Sequence, residues 1–290
     1  MIKNNLTRPY IVVLGVAQDG GFPHAGCQKR CCQSAFKDSS ISKKVCSIAI
    51  VDPKNNQQWI IDATPDFKEQ FYNLQQKTNS FNLSGILLTH AHIGHYLGLA
   101  YLGKEAINSN EVTVFGMKRM LSFLNNNGPW DQLVKLNNIS LTEIKENVKF
   151  ELNKEIKVIP ILVPHRDDYS ETVCFLICSK QKKIIFIPDI DKWHLWDKNI
   201  IEIIKDVDYA LIDGTFYNDS ELERDMSKIP HPFVTESMEI FEKLEFKHKN
   251  KIFFTHLNHT NPLMDDNSNE QKEVKKRGFN IATENLILKL

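Results

Sequence analysis

This chain has no excess of either charge, no long apolar run and few cysteines. Lys plus Arg equals Asp plus Glu at 36 each, which removes the bulk electrostatic case for nucleic acid or an anionic membrane as partner. No run of 18 apolar residues occurs, so no membrane-spanning helix is expected. The apolar stretch 11–17 is short, lacks a small-residue cleavage pattern and ends in Gln18-Asp19-Gly20-Gly21. It reads as a strand rather than a signal peptide. Six cysteines in 290 residues are too few for a disulfide scaffold. These absences favour a cytoplasmic protein. Repeats, low-complexity segments and obvious linkers are missing as well. At 42% hydrophobic and 25% charged, the composition is that of a globular chain with a sizeable core. One domain over 1–290 is the simplest organisation.

What is present is concentrated. Three histidines fall in Thr89-His90-Ala91-His92-Ile93-Gly94-His95, after the apolar Ile86-Leu87-Leu88 and ahead of a helical pattern over 96–107. In an extended segment, side chains at i and i+2 point the same way. His90 and His92 can therefore face one point, and His95 can meet it from the first helical turn. Neutral imidazole is a ligand for zinc, iron and similar metals. Three of them leave positions open for water or substrate, the arrangement of a catalytic site. Asp62, His165, Asp189 and His256 each follow an apolar strand-like run, and catalytic groups can converge at the rim of a sheet.

Apolar runs predict strands at 10–16, 45–51, 58–61, 112–115, 156–163, 172–178, 183–187, 209–212 and, last, 252–254. The second and third should pair as a hairpin. One helix is predicted to start at Thr64 as cap, with Pro65 first, and to run to about 76. Others are expected over 118–125, 199–205 and 234–244 and in the charged stretch 265–277, whereas 126–138 reads as a turn-rich connection. Several strands are apolar throughout, as expected when both faces are covered. Two series of strands interleaved with helices predict an α/β chain with two packed sheets and helices outside.

Cys27, Cys31 and Cys32 lie with His24 within nine residues and offer four soft ligands. Adjacent cysteines cannot both aim at one ion unless the backbone turns sharply between them, so the local four need not be the whole site. His259, three residues after His256, is another imidazole that could face this loop. Cys46, Cys174 and Cys178 sit in apolar runs and read as buried small hydrophobes. His231, in Ile229-Pro230-His231-Pro232, either lines a substrate pocket or is a turn residue before a helix.

The order of Asp62, His90, His92, His95, His165, Asp189 and His256 resembles the five motifs of the metallo-β-lactamase superfamily. The resemblance implies a metallo-β-lactamase-like αββα sandwich, with two mixed sheets packed together, helices outside and metals at one sheet edge. It implies a first metal on His90, His92 and His165. It implies a second on His95, Asp189 and His256, with Asp189 bridging and Asp62 orienting the His loop from behind. The superfamily motif has an aspartate where Gly94 stands here. Glycine supplies no oxygen, so the first site is expected to fill and the second to be weaker or to take a different metal, iron and manganese among the candidates.

Relatives such as the phosphonate-pathway phosphodiesterase carry a structural zinc on three cysteines and a late histidine. By that resemblance Cys27, Cys31, Cys32 and His259 would hold one here, with His24 the alternate. Four segments also resemble the pyrroloquinoline quinone biosynthesis protein B family: Leu14-Gly15 through Pro23 with the cysteines, Asp213-Gly214-Thr215-Phe216, His231 after Met226, and His256 through Pro262.

Hydrolysis is the leading expectation. A bound metal lowers the pKa of water to about 7 and polarises the scissile group of an ester, phosphodiester or lactam, with Asp189 and His231 as catalytic side chains. The pyrroloquinoline quinone resemblance implies two alternatives: hydroxylation of a tyrosine-derived precursor at iron, or carriage of the cofactor without catalysis. The expected partner is a small-molecule or peptide-derived substrate, without nucleic acid or membrane, and a homodimer is compatible with this reading.

Overall fold

The structure is a computed structural model that describes residues 7–226 and 228–290. The first series of strands is β1 Tyr10–Gly15, β2 Ser47–Asp52, β3 Gln57–Ile61, β4 Asn82–Leu87, β5 Val112–Gly116 and β6 Ile139–Glu143. The second is β7 Phe150–Glu151, β8 Lys157–Leu162, β9 Val173–Cys178, β10 Lys183–Ile187, β11 Tyr209–Asp213, β12 Ile252–Thr255 and β13 Asn280–Ile281. A last strand, β14 Ile287–Lys289, returns to pair with β1. The two sheets run β14-β1-β2-β3-β4-β5-β6 and β13-β12-β11-β10-β9-β8-β7.

Alternation along the strands builds the layers. Ile11 and Val13 of β1, Ile48 and Ile50 of β2, and Trp59 and Ile61 of β3 point inward. They meet Val173, Phe175 and Ile177 of β9 and Ile184 and Phe186 of β10 from the other sheet. The opposite faces are also covered. Tyr10, Val12, Leu14 and Ile60 pack on Phe67 and Leu74 of the helix Phe67–Thr78. Ile185, Ile187, Ala210 and Ile212 pack on Ile200, Ile204, Val234 and Met238 of two helices. The result is the expected αββα sandwich. Burial on both faces explains why the strands are apolar throughout, and each fully buried Ile or Phe contributes about 1.5–3 kcal/mol. Among the described residues no helix is long and apolar enough to cross a membrane.

Pairing directions decide where the site can be. β1, β2 and β3 are successively antiparallel, and β3 through β6 are parallel. The second sheet repeats this: β8, β9 and β10 are antiparallel, and β10 through β13 are parallel. The C-terminal ends of β1, β3, β4 and β5 thus share one rim of the first sheet. Those of β8, β10, β11 and β12 share one rim of the second.

Four local expectations are corrected. The pattern over 96–107 is no long helix but a short one, Ile93–Tyr96, followed by the 3₁₀ segment Leu97–Leu102. Gly98 donates its N–H to Ala63 O at 2.9 Å rather than within a helix, in a contact so close that a Cβ would lie 2.2 Å from Thr64 O. The helix expected to start at Thr64 starts at Phe67; the Thr64 hydroxyl accepts from Asp66 N at 3.0 Å and donates to Gln70 at 2.7 Å. The connection 126–138 contains the helix Trp130–Lys135, which buries Leu133 under β6 despite its polar flanks. Strand β6 was hidden in the polar run that follows, and β12 is not the last strand, because the short β13 and β14 close the two sheets.

Candidate metal centres

His90, His92 and His95 sit in the segment that leaves β4, and the chain reaches them through Asp62. This residue directly follows β3 at φ +69°, a left-handed conformation that Asp and Asn tolerate. Its carboxylate is fully buried and can only accept. Thr89 N donates to Oδ1 at 2.8 Å, the Thr89 hydroxyl donates to Oδ2 at 2.9 Å and His95 Nδ1 donates to Oδ2 at 2.8 Å. With its proton directed at Asp62, the Thr89 oxygen accepts from His90 Nδ1 at 3.0 Å. One carboxylate therefore sets the tautomer of two imidazoles and leaves His90 Nε2 and His95 Nε2 as lone pairs facing the rim.

The second sheet repeats the device. Asp213, at the end of β11, accepts the Thr215 N–H and hydroxyl on Oδ1, each at 2.8 Å. Thr215 Oγ1 accepts from His256 Nδ1 at 2.9 Å, and His231 Nδ1 donates to Asp213 Oδ2 at 2.7 Å. His165 Nδ1 donates to Asp191 Oδ1 at 3.0 Å. The Nε2 atoms of His90, His95, His165 and His256 all turn toward Asp189.

Two main clusters form there, and a third, of His165, Asp189 and His231, overlaps both. His90, His92 and His165 bring ligand atoms within 4.8 Å of one another, as do Asp19, His95, Asp189 and His256. His90 Nε2 and His92 Nδ1 are 2.8 Å apart. Asp189 stands between the clusters: Oδ1 is 3.6 Å from His165 Nε2, and Oδ2 is 3.8, 3.0 and 3.2 Å from the Nε2 atoms of His90, His95 and His256. His231 is buried 3.9 Å from Asp189 and completes the third cluster. Asp19, from the loop after β1, was not anticipated. An aspartate ahead of two glycines reads as a turn residue, and only the fold brings it to this rim. Its carboxylate lies against Gly94, with Oδ1 3.1 Å from His95 Nε2.

Whether these residues suit a cation can be judged from their unmet bonds. Among the described residues, His165 Nε2, His256 Nε2 and Asp189 Oδ2 are buried without a hydrogen-bond partner. Buried polar atoms are seldom left so; one cation at His165 and another between His256 and Asp189 would satisfy all three. Charge agrees. Burial holds His90 well below its ordinary value, and burial brings His92 down to about 4, so both are neutral bases. Burial would raise Asp189, but His256 and His95 beside it hold it well below the carboxylate range. Burial opposes protonation of His95, yet Asp62, Asp189 and Asp19 push it well above the usual value. That cluster attracts positive charge.

The cysteine loop forms a separate cluster with the late histidine: Cys27, Cys31, Cys32 and His259. Sγ of Cys31 is 3.9 Å from that of Cys27 and 3.9 Å from that of Cys32. His259 Nδ1 is 3.6 and 3.4 Å from the sulfurs of Cys31 and Cys32. Zinc–sulfur bonds of about 2.3 Å and zinc–nitrogen bonds of about 2.05 Å put tetrahedral S–S edges near 3.8 Å and S–N edges near 3.6 Å. The cluster has those dimensions. Its sharp turn is the first turn of the helix Arg30–Lys37, which starts just ahead of Cys31. His24 lies outside this set. Its ring packs on that of His259 with centroids 4.4 Å apart, and its backbone N–H donates to Cys32 Sγ at 3.3 Å.

Two facing mixed sheets with imidazoles and carboxylates gathered at one rim define a metallo-β-lactamase type of protein, a class that suggests metal binding. Residues 58–257 match the Beta-lactamase superfamily domain, and the chain belongs to that superfamily. It is also similar, over 97% of its length and 100% of theirs, to proteins named Coenzyme PQQ synthesis protein B. It is 24% identical to that of Acinetobacter baumannii and 26% identical to that of Pseudomonas savastanoi pv. phaseolicola. The crystal structure of zinc-bound PqqB from Methylobacterium extorquens matches with a TM-score of 0.82 at 24% identity, covering 97% of this chain and 100% of that one. A diphosphatase from the PhnP family matches at 0.69 and 20% identity, covering 98% and 97%.

Proposed function

We propose that this chain is a metal-dependent hydrolase of an anionic ester or phosphodiester. The observation that carries the reading is Asp189, which lies within reach of both imidazole clusters and has a buried oxygen without a hydrogen bond. His90, His92 and His165 would hold one ion, and His95, Asp189 and His256 another. Zinc is the expected metal, and iron or manganese also suit this donor set. Bound there, divalent ions would supply hydroxide at neutral pH and polarise the scissile group.

The chain's own residues have separable tasks. Asp189 orients the attacking water from between the clusters. His231 keeps its Nδ1 proton on Asp213, so its Nε2 is free to face developing negative charge. Burial lowers the His231 value, but Asp213 raises it further, so the ring holds a proton readily. A cleft of about 300 Å³ leads from His231 and Thr215 to the exposed guanidinium groups of Arg166 and Arg224. Guanidinium suits carboxylate and phosphate, which favours an anionic substrate. Cys27, Cys31, Cys32 and His259 would hold a structural zinc beside the site.

The test is hydrolysis of chromogenic phosphodiesters and esters by zinc-, manganese- and iron-loaded protein, with Asp189→Asn and His92→Ala alongside. Turnover abolished in both variants is expected. No turnover with any loaded form refutes hydrolysis. A second reading, hydroxylation of a tyrosine-derived precursor at iron, is supported by the likeness to proteins named for PQQ synthesis. Substrate-dependent oxygen consumption by the iron-loaded protein would favour it.

A further inference from the structure

The superfamily motif has an aspartate at the position of Gly94, and a carboxylate from another part of the chain lies against that glycine. A Cβ at Gly94 would sit 2.2 Å from Asp19 Oδ1 and 2.7 Å from Asp19 Cα. Asp19 thus fills the space that a side chain at 94 would need. Its Oδ1 is 3.1 Å from His95 Nε2 and 3.6 Å from His256 Nε2, and its side chain is only 15% exposed. We propose that Asp19 is the anionic ligand of the second metal, so that glycine at 94 marks a relocated ligand and makes room for it. The proposal rests on the metal-site reading above.

The loop that carries Asp19 is held for this task. Gln18 N donates to Leu257 O at 2.8 Å, and Leu257 N donates to Val16 O at 2.7 Å. Ala17 forms bridges to Val45 and to Leu257. Asp19 is therefore tied to the residue that follows His256, and the two ligands are fixed relative to each other. With Asp19 the cluster offers two imidazoles and two carboxylates. That restores the hard anionic donor removed at position 94 and suits zinc, iron or manganese. The Beta-lactamase superfamily match begins at residue 58, so this ligand lies outside the segment that defines the superfamily.

The experiment titrates metal-free full-length protein with cobalt(II), reading stoichiometry by elemental analysis and ligand geometry by visible absorption. Asp19→Asn keeps shape and removes charge. Gly94→Ala removes no donor but puts a methyl group where Asp19 sits. His92→Ala marks the first site. Both Asp19→Asn and Gly94→Ala should lose the same ion, with affinity falling about a hundredfold or more, beyond what outer-shell changes usually cost. The first-site and cysteine-site bands should stay. Asp19→Asn with a full complement of ions and an unchanged spectrum would overturn the proposal and leave Asp19 as an ion-pair partner of His95. Gly94→Ala with unchanged binding would overturn the exchange of positions. Wild-type protein with cobalt at the cysteines alone would instead sink the metal-site reading itself. If Asp19→Asn does not fold, Asp19→Ser takes its place under the same criteria.

Discussion

Asp62→Asn separates the two ions of the rim. Asn tolerates the left-handed backbone at φ +69°, and its carbonyl oxygen can still accept both Thr89 donors. The amide NH₂ then faces His95 Nδ1, which must accept instead of donating. The His95 proton moves to Nε2, the atom aimed at Asp19 and Asp189. Coordination by His95 is then blocked until that proton is displaced. A hydrogen bond to a charged group is worth about 1.5–3 kcal/mol. At about 1.4 kcal/mol per decade, second-ion affinity should fall about 10- to 150-fold. The Thr89 relay to His90 survives, so the first ion should weaken by less than about threefold. Competition with a chromogenic zinc chelator measures both. Equal weakening of the two ions, or none, would refute the claim that Asp62 acts on the second ion through the His95 tautomer.

Cys31→Ser should remove one zinc per chain. It should also speed tryptic cleavage after the already exposed Lys29, Arg30 and Lys37, because a small apolar cluster around Phe22, Cys32, Ala35 and Met264 is left to hold that loop. Burial pushes the Cys32 thiol up to about 12 and raises Cys31. Both are protonated at neutral pH, so loading the site should release at least two protons, and affinity should fall as pH is lowered; calorimetry in buffers of different ionisation enthalpy tests this. Arg166→Ala with Arg224→Ala should raise KM for anionic substrates about tenfold or more and leave kcat and metal content nearly unchanged. Trp59→Ala should destabilise the fold by about 3–5 kcal/mol in urea, because Trp59 is fully buried between the sheets.

Much of this was legible in the chain. Apolar runs gave the position of most strands, because burial on both faces leaves little room for polar residues. The order of His and Asp residues pointed to the αββα sandwich. What escaped was set by partners distant in sequence. The segment after Tyr96 has helical spacing, but close backbone contact of Gly98 with Ala63 and Thr64 redirects its hydrogen bonds. β13 and β14 have two and three residues, and only pairing with β12 and β1 makes them strands. Asp191 and Thr215 carry no signal of a tautomer-setting role until the imidazoles stand beside them. Asp19 escaped because short-range spacing cannot reveal a neighbour 75 positions away. Gly94 was the visible half of that pair. It was read as a lost oxygen because its counterpart sits in a loop with an ordinary turn composition.

The two sheets show why the ligands converge. Counting from the antiparallel edge, β1 and β8 are each the second strand, β3 and β10 the fourth, and β4 and β11 the fifth. Each pair delivers polar residues to the same rim. β1 is followed by Asp19 and β8 by His165; β3 by Asp62 and β10 by Asp189; β4 by Thr89 and His90; and β11 ends in Asp213 and is followed by Thr215. The equivalent aspartates have diverged: Asp62 is wholly committed to Thr89 and His95, whereas Asp189 keeps an oxygen without a hydrogen bond. A ligand from the β1 loop therefore occupies the counterpart of the β8 position that supplies His165. Asp19 needs no unusual excursion of the chain to reach the second cluster. The strand before it already ends at the rim, and a glycine across the way leaves it space.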